Sequence, residues 1–80
     1  MAVRLVYLGR LADLAGAREG EVAGPLDWAG LLRTLAPSLA ESVRGDRVRL
    51  AVNGRVLPDK AALAVKDGDE IALLPPVSGG

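Results

Sequence analysis

Eighty residues, half of them hydrophobic, suffice for one domain with a modest core and are too apolar for a disordered chain. The absence of Cys and His excludes thiolate and imidazole metal sites, disulfides, and Ser–His or Cys–His catalysis. Ten basic residues balance ten acidic ones, and Tyr7 and Trp28 are the only aromatics, so a nucleic-acid binder's basic bias and stacking surface are both missing.

In chain order, Ala2–Leu8 reads as a strand with Val3, Leu5 and Tyr7 on one face and Arg4, Val6 and Leu8 on the other. Gly9 ends it, Arg10–Ala15 fits a short helical turn, and Gly16 stops that turn. Glu19–Ala23 reads as a second short strand, broken by Gly24-Pro25. Asp27 is placed to cap a helix from Trp28 to about Ala36, with Trp28, Leu31, Leu32 and Leu35 forming one apolar stripe. Pro37 should end this helix, and Ser38-Leu39-Ala40-Glu41 fits a capping box opening a second one that runs to Arg44 and stops at Gly45.

Val48–Val52 is the next strand, and Asn53-Gly54 predicts a type I′ hairpin into Arg55–Leu57. Pro58-Asp59-Lys60 turns the chain, and Ala61–Val65 fits either a short strand or a turn of helix. Asp67-Gly68 marks a further turn before a last strand, Glu70–Leu74. Asp67, Asp69 and Glu70 lack the ligand spacing of a calcium loop and are assigned to that turn, so no metal is expected. The fold class is therefore α+β. Pairing the first and last strands would give a mixed sheet packed on one main helix, the ubiquitin-like β-grasp arrangement. Residues 1–74 would form that domain and 75–80 an extended tail.

The chain stops at Gly79-Gly80, after Pro75-Pro76-Val77-Ser78. Glycine has no Cβ, so such an end could enter a slot too narrow for other residues, and its only functional group would be the Gly80 carboxylate. A carboxylate is a poor electrophile and needs activation as a mixed anhydride. Pro75-Pro76 cannot continue a central strand and favours a stiff extended connector. Ser78 has no His or Cys to activate it and reads as connector.

The stretch Lys66-Asp67-Gly68-Asp69-Glu70-Ile71-Ala72-Leu73-Leu74-Pro75-Pro76-Val77-Ser78-Gly79-Gly80 resembles the end of the molybdopterin synthase small subunit, a ubiquitin-like sulfur-carrier family. Val6–Gly16 is similar to that family's first strand and following helix, and Leu50-Ala51-Val52-Asn53-Gly54 to its Ala-Val-Asn hairpin. The family is commonly aromatic where this chain has Leu8, Leu73 and Leu74. The resemblance implies a β-grasp fold and a non-catalytic protein co-substrate of a sulfurtransferase. An activating enzyme of the ubiquitin-activating type would use ATP to adenylate Gly80, the catalytic position, and a sulfur donor would convert the carboxylate to a thiocarboxylate. That covalent form, with no cofactor bound, would donate sulfur to cyclic pyranopterin monophosphate in the large subunit, building the molybdopterin dithiolene. Pro76, Val77, Ser78 and Gly79 would be the tail inserted into partner active sites.

Val6, Leu8, Ala72 and Leu74 should share the sheet face away from the helix, where an uncovered apolar patch reads as a partner-docking surface. The alternatives are the sulfur carrier of thiamin thiazole synthesis, a ubiquitin-like modifier conjugated through Gly80, and a binding module with an inert tail. No membrane partner is expected, since no stretch approaches the roughly 18 apolar residues of a span. The N-terminus also lacks a signal peptide's apolar run, which makes the cytosol the expected compartment.

Overall fold

The computed structural model describes residues 2–76. Val3–Tyr7 forms β1 and Arg10–Ala15 forms α1, which Gly16 closes in the left-handed conformation at φ 73°. Glu19–Val22 forms β2, antiparallel to β1. Leu26–Asp27 forms β3, a two-residue strand that the sequence pattern does not announce. Helix α2 spans Trp28–Thr34 and begins as expected, with the Asp27 carboxylate accepting from the Gly30 N–H at 2.7 Å.

The end of α2 departs from expectation. It stops at Thr34 because Leu35 and Ala36 are extended, and Ala36 precedes a proline, which disfavours the helical region. Pro37 does not terminate a helix. It opens α3, Pro37–Arg44, at the first helical position, where its missing N–H and fixed φ cost nothing. The expected capping box at Ser38–Glu41 is accordingly not formed: Ser38 lies inside α3, and Ala36 caps it with no side-chain hydrogen bond.

Arg49–Val52 forms β4 and Arg55–Val56 forms β5, joined through Asn53 at φ 49° and Gly54 at φ 86°, the left-handed pair that a type I′ turn demands. The ambiguous segment satisfies both of its readings in succession. Lys60–Ala62 is a single 3₁₀ turn, and Ala64–Val65 forms β6, paired with β3. Glu70–Leu74 forms β7.

The main sheet has the order β2-β1-β7-β4-β5, with β1 and β7 parallel and every other neighbour antiparallel. The last strand thus lies beside the first at the centre of a mixed sheet, as the β-grasp reading requires. The helical layer is not one helix: α2 and α3 carry the apolar stripe in succession. Leu31 and Leu35 of the first segment continue into Leu39 and Val43 of the second, and all four pack with Val3, Leu5, Leu50, Ile71 and Leu73. Trp28 and Leu32 flank this core, half-buried. No polar side chain is buried among the described residues, so the apolar contacts carry the core without a polar network. No described helix is long and apolar enough to cross a membrane.

Candidate functional site: the tail base and the outer sheet face

The tail base is built where β7 runs out. The Leu8 N–H donates to the Leu73 carbonyl at 3.3 Å, carrying the central pairing one residue past β1. The chain then turns at Gly9, whose φ of +55° strains any side chain and whose Cβ would stand 3.1 Å from the Pro75 ring. Glycine at this position lets Pro75 lie directly on the start of α1. Pro76 follows and lines a groove of about 770 Å³ between α1 and the loop after α3, together with Leu11, Leu14 and Val48. Of the residues expected to form the tail, Pro76 is therefore at the sheet's end. Val77, Ser78, Gly79 and Gly80 lie outside the described residues.

The outer sheet face is ordered in rows by the strand register. Val6, Ala72, Ala51 and Val56 are successive partners across β1, β7, β4 and β5, giving an apolar row on the side away from the helices. Val6, Ala72 and Leu74 are half-buried, whereas Leu8 at the end of the face is 40% exposed. The structure therefore brings together all four residues expected on this face. It adds Ala51 and Val56, which sequence reasoning missed because only the register of β4 against β7 and β5 aligns them with this face. On the side away from the tail the row gives way to charge: Arg4 pairs with Glu19 at 2.7 Å and lies 3.9 Å from Glu70.

The acidic turn is structural. Asp67 accepts from the Gly24 N–H at 2.7 Å, and Asp69 accepts from the Lys66 N–H at 3.0 Å and from the Asn53 amide at 3.1 Å. Asn53 in turn accepts from the Glu70 N–H at 2.9 Å, which fastens the hairpin turn to the start of β7. These bonds, that from the Lys66 N–H foremost, hold the Asp69 carboxyl below the usual carboxylate range. Among the described residues, no group of three or more acidic side chains converges as a metal site would need.

Lys60 is the polar feature that sequence reasoning passed over. Its ammonium donates to the carbonyls of Val43, Gly45 and Val48 at 2.7, 2.6 and 2.9 Å and lies 5.6 Å from the centre of the Trp28 ring. Gly45 does not close α3 in the left-handed conformation; its φ is −63°. Instead the lysine gathers one carbonyl from the last turn of α3, Val43, and two from the loop that follows, Gly45 and Val48. Burial lowers the pKa of Lys60, opposed by the nearby Asp46 carboxylate.

The sheet order, the helical layer on one face and the diproline directly after a central strand define the ubiquitin-like β-grasp class. Residues 5–80 match the ThiS family, and the chain belongs to that family. The chain is 32% identical to a protein of Chlamydomonas reinhardtii called molybdopterin synthase sulfur carrier subunit, with both chains covered in full. Among solved structures, the small archaeal modifier protein 1 of Methanosarcina acetivorans superposes with a TM-score of 0.78 at 27% identity, covering 98% of this chain and 95% of the other. A chain from the protein–protein complex of subunits 1 and 2 of the molybdopterin-converting factor of Helicobacter pylori 26695 gives a TM-score of 0.67 at 25% identity over all of both chains. The family expected from the tail and hairpin motifs is thus shown.

Proposed function

We propose that this chain is the sulfur carrier of a molybdopterin synthase and acts through its Gly80 carboxylate. The observation that carries this reading is the full-length similarity to a sulfur carrier subunit, 32% identical with both chains covered in full. A carboxylate oxygen of Gly80 attacks the α-phosphate of ATP in the activating enzyme, forming an acyl-adenylate and releasing pyrophosphate. Hydrosulfide supplied by the donor then attacks the carbonyl carbon, AMP leaves, and a thiocarboxylate remains. The large subunit receives the charged tail. Sulfur passes to cyclic pyranopterin monophosphate and the carrier returns with its carboxylate restored. The chain's own contribution is positional: Gly9 seats Pro75, the diproline favours a stiff extended connector, and the apolar patch of Val6, Leu8, Ala72 and Leu74 supplies the docking face. Incubation with ATP, the activating enzyme and a sulfur source should raise the intact mass by one sulfur-for-oxygen exchange. An unchanged mass, with no acyl-adenylate trapped, would overturn the reading.

The superposition on a small archaeal modifier supports a second reading, in which the Gly80 carbonyl is joined to an amine of another protein. Both readings share the acyl-adenylate and part at the acceptor.

A further inference from the structure

Both readings place an activated carbonyl on the chain, and the inference here rests on that shared step. An acyl-adenylate is open to any unhindered neutral amine, and a carrier that must deliver sulfur is at risk from its own lysines. The chain has eight arginines, whose guanidinium groups stay protonated and carry no available lone pair, and only two lysines, Lys60 and Lys66.

The two lysines stand in opposite circumstances. Lys60 has three donors and three carbonyl acceptors, those of Val43, Gly45 and Val48, all within 2.6–2.9 Å of the nitrogen. The Trp28 ring covers it from a further side at 5.6 Å. Burial lowers its pKa and so enlarges its neutral fraction, but the three carbonyl bonds hold the nitrogen and must open before an acyl carbon can reach it. Lys66 stands on the turn before β7 with its side chain 81% exposed, and among the described residues its nitrogen meets only Asp69, at 3.8 Å. A contact of that length at the surface does not hold an amine out of reach.

We propose that Lys66 is the acyl-acceptor site of this chain, the position where one copy's activated tail acylates another, and that Lys60 is withdrawn from the same chemistry by its carbonyl cradle. The neutral Lys66 amine attacks the Gly80 carbonyl carbon of a second copy. A C–N bond forms, the bond from that carbon to the phosphate oxygen breaks, AMP departs, and the amine proton passes to water. The product is an isopeptide-linked dimer whose own tail remains free.

Two measurements on the full chain test this. In the first, the unmodified protein is treated briefly with the N-hydroxysuccinimide ester of acetic acid and mapped by peptide mass spectrometry. Lys60 should be acetylated about tenfold or more slowly than Lys66, because its hydrogen bonds must open first. Comparable labelling of both lysines would overturn the proposal. In the second, the protein is incubated with ATP and the activating enzyme without a sulfur source. Dimers linked from Gly80 to Lys66 should accumulate, vanish in Lys66→Arg and persist in Lys60→Arg. Acyl-adenylate without any Lys66 linkage, or linkage at Lys60, would overturn it. If no acyl-adenylate forms, the function proposed above fails, while the acetylation rates still decide which lysine is open.

Discussion

At the scale of single residues, the terminal glycines carry the sharpest expectation. Deleting Gly80 moves the carboxylate by one residue, and Gly79→Val adds a stiff β-branched side chain to a segment proposed to enter a narrow slot. Both changes should abolish adenylation, read as carrier-dependent ATP–pyrophosphate exchange, while the thermal unfolding midpoint stays unchanged because a glycine has no side chain to bury. Normal exchange in either variant would remove the carrier assignment. Asp69 yields a prediction in pH. Its folded pKa lies below the ordinary value of about 4, so its stabilising contribution is complete above that value and is lost as pH falls through the folded pKa. Between about pH 5 and pH 2 the unfolding midpoint should fall less steeply in Asp69→Asn than in the unmodified chain. Parallel curves would show that the bonds from Lys66 and Asn53 contribute nothing to acid stability.

At the scale of elements, β1 and β7 present opposite chemistry on their two faces, and substitution should separate them. Leu5 is fully buried against the helices, so Leu5→Asp places an unpaired charge in the core and should cost about 3 kcal/mol or more, enough to unfold much of the population. Leu8→Asp and Leu74→Asp lie on the outer face, where the charge stays hydrated until a partner covers it. Stability should change little while affinity for the large subunit, measured by calorimetry, falls at least about a hundredfold, a loss of ~2.7 kcal/mol. Unfolding of Leu74→Asp would reverse the assignment of faces. The same alternation made β1, β7 and the Asn53-Gly54 hairpin legible in the sequence, because period-2 patterns and left-handed turn residues are local signals. The boundary between α2 and α3 was misread because Pro37 can end one helix or begin another, and only the extended backbone at Leu35 and Ala36 decides between them. The pairing of β3 with β6 was invisible for a different reason. Two-residue strands have no periodicity, and their partners lie far apart in the chain.

At the scale of the whole molecule, the readings of Gly80 separate by what returns after turnover. Mixed with the large subunit and the pterin precursor, the charged carrier should lose the mass of one sulfur-for-oxygen exchange as dithiolene forms, and it should be recovered as a free monomer. Recovery mainly as lysine-linked adducts of other proteins, with no pterin product, would favour the modifier reading. The patch residues Val6, Leu8, Ala72 and Leu74 were legible because the face of a strand follows from its alternation. Ala51 and Val56 join them only through the register of β4 against β7 and β5, which no single stretch of sequence encodes. Lys60 escaped notice for the same physical reason. Its three acceptors are backbone carbonyls, and side-chain identity says nothing about where carbonyls converge.

The parallel pairing of β1 with β7 also sets an order in time. Val3–Tyr7 and Glu70–Leu74 lie near opposite ends of the chain, yet they form the middle of the sheet. Closing so long a loop costs entropy before any contact rewards it, so this pairing should be a slow step of folding rather than its nucleus. During synthesis, the edge of β1 opposite β2 stays unpaired until β7 is made. The diproline follows β7 directly. A chain interrupted before Leu74 thus has neither a finished body nor a tail, and quality-control machinery meets an exposed strand edge instead of a half-useful carrier. Assembly of the sheet and presentation of the reactive end become a single all-or-none event.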